Sequence, residues 1–96
     1  MPSFAVFTTA RFDREFRKLV KRHPELVPIV ERVVQIVGAD PFNKSLTLPI
    51  RKLVGVPPGE GQFRVRIGRF RFRYDLEEQN VYLKGCAMRS ETTYRR

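Results

Sequence analysis

Apolar and polar positions change period twice along the chain, and the changes mark its elements. Phe4, Val6 and Thr8 alternate with smaller residues, which predicts a short opening strand. Thr8 or Thr9 then offers an N-cap. From Arg11 onward Phe12, Phe16, Leu19 and Val20 fall at helical spacing, and Arg11, Asp13, Arg14, Arg17, Lys18 and Lys21 take the other face. This is an amphipathic helix with a basic back. His23 and Pro24 interrupt it, and Pro24 suits the first turn of a second helix dominated by Leu26, Val27, Ile29, Val30, Val33, Val34 and Val37. Gly38 and Pro41 end that helix. Residues 40–45 read as a loop and 46–53 as an irregular extended stretch broken by Pro49. Gly55, Pro57, Pro58, Gly59 and Gly61 make the next segment a loop that is neither helix nor central strand.

After that loop the period is two. Phe63, Val65 and Ile67 point one way and Gln62, Arg64 and Arg66 the other. Gly68 breaks the count at a hairpin or glycine bulge, and the alternation restarts with Phe70, Phe72 and Tyr74 inward and Arg69, Arg71 and Arg73 outward. Residues 75–80 read as a polar turn. A third strand follows, with Val81, Leu83 and Ala87 on the apolar face and Tyr82, Lys84, Cys86 and Met88 opposite. The expected fold is a two-layer α+β domain over residues 1–96, in which a helical hairpin covers the Phe and Val face of an antiparallel meander.

The chain has 96 residues, 42% of them hydrophobic, which suffices for one small core but not for a deep cofactor-sized cavity. Any working surface is therefore expected to be open, without cofactor. The apolar runs are far shorter than the roughly 20 residues of a membrane span, and no basic segment leads into an apolar one at the N-terminus. The single Cys86 forms no internal disulfide, so a reducing cytoplasm is the natural setting.

Charge narrows the choice of partner. The net charge is +9, and fourteen of the nineteen cations are arginine, whose planar fork matches phosphate oxygens. The excess is not confined to a tail. Residues 62–74 hold Arg64, Arg66, Arg69, Arg71 and Arg73 and no acid. On two neighbouring strands these would line the face that the helices leave open, where a phosphate backbone can lie. The alternative is that they snorkel over the sheet edge and pair with Asp75, Glu77, Glu78 and Glu91. Other candidates are weaker. His23 beside Pro24 reads as a helix-end residue, and Cys86 with one histidine builds no zinc site. Residues 55–61 lack the Lys and Ser/Thr ending of a phosphate-binding loop.

Lys52, Leu53, Val54 and Gly55, then Phe63 to Arg66, then Arg69 to Tyr74, and finally Arg89, Tyr94 and Arg95 resemble the skeleton of the RelE/ParE toxin superfamily over nearly the whole chain. The pattern is "K-L-x-G … R-x-R … F-R-x-x-Y … R … Y-R". The resemblance implies a strand, a helical hairpin and a curved antiparallel meander. It also implies the toxin of a toxin-antitoxin pair: a ribosome-dependent messenger RNA endonuclease, in which a ribose 2′-hydroxyl attacks the adjacent phosphate without a metal and a cognate antitoxin neutralises the enzyme. Carried over by position, the catalytic candidates are Arg64, Arg66, Arg71, Arg89 and Tyr94. Arg71 and Arg89 would clamp the phosphate, and Tyr94 would stack on a base or assist proton transfer. Lys52, Arg69, Arg73, Lys84 and Arg95 are the remaining expected RNA contacts. Arginine keeps its proton, which makes Arg64 and Arg66 poor general bases. Two other readings stand beside this one: a ParE-like protein that poisons DNA gyrase by binding it, and a basic adaptor that only binds RNA.

Overall fold

A computed structural model describes residues 4–89. The first strand, β1 (Ala5–Thr8), leads directly into helix α1 (Ala10–Val20). Thr9 caps α1 through its hydroxyl, which accepts from the Phe12 N–H at 3.3 Å and donates to the Leu83 carbonyl at 2.8 Å. The cap thus also fixes the helix start against a distant strand. A tight turn follows, in which the His23 N–H donates to the Leu19 carbonyl at 2.9 Å. Helix α2 (Leu26–Ala39) runs back without a side-chain cap.

The remaining strands are β2 (Ile50–Lys52), β3 (Phe63–Ile67), β4 (Phe70–Glu77) and β5 (Asn80–Met88). They form one sheet in the order β1-β5-β4-β3-β2. The meander of β3, β4 and β5 is antiparallel as the alternation predicts, and Gly68 sits at φ 59° in the β3–β4 turn, a left-handed conformation that suits glycine. The sheet itself is mixed, because β1 joins β5 in parallel at one edge. The stretch read as irregular contains a real strand, β2, paired antiparallel with β3 at the other edge. The polar turn read over residues 75–80 shrinks to Glu78 and Gln79.

One face of the sheet meets both helices. Phe12 of α1 and Leu26, Val33 and Val37 of α2 close over Phe63, Val65, Phe70, Phe72, Tyr74, Val81, Leu83 and Cys86. Removing a side chain such as Phe72 from water contributes about 2–3 kcal/mol. The expectation that Ala87 points inward and Cys86 outward is reversed. Arg73 pairs with Gly85 but Tyr74 pairs with Leu83, so Lys84 is an extra residue in β5. A bulge of one residue exchanges the two faces of a strand, and beyond it Cys86 is buried while Ala87 is exposed.

Tyr74 is fully buried and donates its hydroxyl to the Pro41 carbonyl at 2.7 Å, tying the end of α2 to the sheet. Tyr74→Phe should cost about 1–2 kcal/mol through the buried carbonyl left without a donor, read as a lower urea midpoint with unchanged slope. Burial, and then the charge of Asp40, raises the Tyr74 pKa. Burial, and then Glu15, pushes the Cys86 thiol up to about 12. In the unfolded chain both groups lose their protons at lower pH than in the folded one. Stability should therefore be intact below about pH 9 and fall steadily as pH rises toward 12, as urea midpoints measured from pH 7 to 11 would record.

Candidate nucleic-acid interface

Strand register decides which cations meet. Arg51 stands opposite Arg64, Arg64 opposite Arg73, and Arg66 opposite Arg71, all on the face opposite the buried core side chains. Their mutual proximity appears in the Arg64 guanidinium, whose pKa is lowered first by burial and then by the like charges of Arg66, Arg71, Arg51 and Arg73. Such repulsion costs stability unless an anion relieves it. Among the described residues no carboxylate comes within ion-pair distance of Arg51, Arg64 or Arg66; the ion pairs there are Arg11 with Glu15 and His23 with Glu25.

Of the acids expected to neutralise the cluster, Asp75 does other work, and Glu91 lies outside the described residues. Asp75 is 7% exposed and accepts from the Gly61 and Gln62 N–H groups, each at 2.9 Å. It anchors the loop between β2 and β3. Arg73 serves the same loop, donating from Nε to the Gly61 carbonyl at 2.8 Å and from Nη2 to the Glu60 carbonyl at 2.9 Å. Gly61 has φ 82°, and a Cβ there would lie 2.9 Å from the Arg73 Cβ, so the backbone passes over the arginine stem at a distance that admits no side chain. The guanidinium of Arg73, expected to bind RNA, is thus already engaged with backbone.

The other candidates scatter. Lys52 lies on the Phe63 side of the sheet, with Nζ 5.8 Å from the centre of that ring; Arg51, which the sequence reading passed over, takes the position on the arginine face. The parity of a three-residue strand after Pro49 follows only from its pairing with β3. Arg69 sits in the β3–β4 turn rather than in the outward row, and its carbonyl accepts the Arg89 N–H at 2.7 Å. That bond brings Arg89, directly after β5, beside the hairpin. Lys84 occupies the bulge, near Gly61 and Arg73. Tyr94 and Arg95 lie outside the described residues. His23 packs edge-on against Phe70, centroids 5.8 Å apart, and faces Glu25 at 3.5 Å at the helix end. Among the described residues no group of three metal-ligating side chains occurs, and no helix is long and apolar enough to cross a membrane.

Two concavities flank Arg64. One, of about 230 Å³, lies between β2 and β3 and is lined by Pro49, Ile50, Arg51, Arg64 and Arg66. The other, of about 210 Å³, lies where α1 meets the sheet, and Arg11, Glu15, Arg64, Arg71 and Ala87 contribute to its wall. Glu15 was not legible as a site residue, since nothing local in α1 shows that it reaches strand β5.

No family model matches the chain, and no curated protein does. Among solved structures, a chain of the RelB-RelE antitoxin-toxin complex from Methanococcus jannaschii superposes with a TM-score of 0.57 at 12% identity, over 85% of this chain and 88% of that one. The chain has a toxin-antitoxin-like fold. At that identity the likeness speaks for the arrangement of two helices and a five-stranded sheet, and the chemistry of the face has to be argued from its own side chains.

Proposed function

We propose that the chain is the toxin of a toxin-antitoxin pair and cuts messenger RNA on the ribosome. The observation that carries this reading is the convergence of Arg51, Arg64, Arg66 and Arg71 on one sheet face, between two small concavities and with no described carboxylate in ion-pair distance of the first three. Guanidinium groups so placed bind successive phosphates of a single strand and stabilise the added negative charge of a pentacoordinate phosphorus. In the reaction the ribose 2′-oxygen bonds to the adjacent phosphorus and the bond to the 5′-oxygen breaks. Arg71 and Arg89 are the clamps, and Tyr94 stacks on a base. A cognate antitoxin silences the protein by lying on the basic face or the helical hairpin, and the toxin-antitoxin-like fold supports such a partner.

The test is to express the chain alone and map messenger RNA ends in translating cells. Cuts phased with codons are expected. A folded protein that yields none overturns the nuclease reading; DNA breaks dependent on gyrase would point to the ParE type, and salt-sensitive RNA binding without toxicity to an adaptor.

A further inference from the structure

Arginine cannot serve as a base, and the arginine face contributes no lysine or histidine from β3 or β4. The fold supplies a carboxylate from elsewhere. We propose, resting on the endonuclease reading above, that Glu15 of α1 is the general base that takes the proton from the attacking ribose 2′-hydroxyl.

Strand β1 stops pairing with β5 at Leu83, which leaves the Cys86 N–H at the sheet edge without a strand partner. Glu15 fills the gap: its Oε1 accepts that N–H at 2.8 Å, and its Oε2 accepts from Arg11 Nε at 3.1 Å. Two donors fix the carboxylate, and each oxygen retains a lone pair. The group rests beside Gly85, where a Cβ would make ordinary contact, 3.5 Å from Oε1 and 3.7 Å from the Arg73 Cβ, which places the carboxylate next to the arginine row. Glu15 lines the 210 Å³ cavity with Arg64 and Arg71, and its side chain is 33% exposed. Among the described residues lining that cavity it is the one carboxylate, and the Cys86 thiol beside it is held protonated by burial.

The step balances without a co-reactant other than water. The 2′-hydroxyl proton passes to the Glu15 carboxylate as the 2′-oxygen bonds to phosphorus. The bond from phosphorus to the 5′-oxygen breaks, and the departing oxygen takes a proton from water. The resulting hydroxide removes the proton from Glu15, leaving a 2′,3′-cyclic phosphate and a 5′-hydroxyl end. Arg64 and Arg71 face the same phosphate, so base and charge clamp act on one linkage.

The experiment is single-turnover cleavage of a defined messenger RNA on programmed ribosomes, followed against pH for the unaltered chain, Glu15→Gln and Glu15→Asp. The glutamine keeps a carbonyl oxygen for the Cys86 N–H but holds no proton-accepting charge. The expected result is a rate about 100-fold lower for Glu15→Gln, with loss of the rise that the unaltered chain shows as a carboxylate ionises, and unchanged ribosome binding. Glu15→Asp should keep that rise at a lower plateau. Cleavage by Glu15→Gln at the unaltered rate, or with the same rise, overturns the role of Glu15 while the nuclease reading stands. An unaltered chain that binds programmed ribosomes and never cuts overturns both. Should Glu15→Gln fold poorly, a pH profile of Glu15→Asp without the carboxylate rise overturns the assignment.

Discussion

Replacing Arg51, Arg64 and Arg66 together by alanine is expected to weaken binding to single-stranded RNA about a thousandfold at moderate salt and to leave the fold intact. Each arginine that neutralises a phosphate contributes about 0.7 to the slope of log affinity against log salt, so the triple variant should lose about two units of slope. A thousandfold is about 4 kcal/mol, or about 1.4 kcal/mol per arginine, near the lower end of what a hydrogen bond to a charged group contributes. Stability should hold or rise, because the three side chains repel one another and no described carboxylate depends on them. Titration of a labelled oligonucleotide at several salt concentrations measures the effect, with a urea midpoint as the control. An unchanged slope would show that the anion binds elsewhere.

The second large effect is structural. Asp75→Ala should destabilise the protein by about 2–5 kcal/mol, because two backbone donors, the N–H groups of Gly61 and Gln62, lose their buried acceptor together. The damage should spread along residues 53–62. Gln62 also holds the Val56 carbonyl through Nε2 at 3.0 Å, and its own carbonyl accepts the Leu53 N–H at 2.7 Å. Asp75→Asn, which keeps one acceptor oxygen, should cost less. Urea midpoints report the loss, and amide exchange at Gly61 and Gln62 should accelerate before that of the core strands. A variant within 0.5 kcal/mol of the parent would mean that water satisfies those N–H groups equally well.

The sequence was most legible where periodicity is local. Alternation placed Phe63, Val65, Phe70, Phe72 and Tyr74 in the core and Arg64, Arg66 and Arg71 on the far face, and the helices occupy the segments their spacing indicates. It failed where an outcome depends on a distant segment. Counting by two cannot pass through an extra residue, so Cys86 and Ala87 came out exchanged beyond Lys84. Lys52 entered through the resemblance and Arg51 was passed over, since β2 shows its parity only once it is paired with β3. Asp75 was weighed as a partner for arginines, yet it serves a loop that closes over it. Nothing in the sequence singled out Glu15, whose bond to Cys86 joins positions 71 residues apart.

The parallel pairing of Ala5 with Asn80 sets an order of events during synthesis. Strand β1, the hydroxyl of Thr9 and the carboxylate of Glu15 all find their partners on β5. β1 and the start of α1 must therefore wait, unpaired, for the last described strand. At about 5–20 residues per second that delay is on the order of 4–15 s, long compared with hairpin closure in microseconds. A nascent chain interrupted before Asn80 lacks the strand that docks β1 and α1, so a truncated translation product should not assemble the groove beside α1.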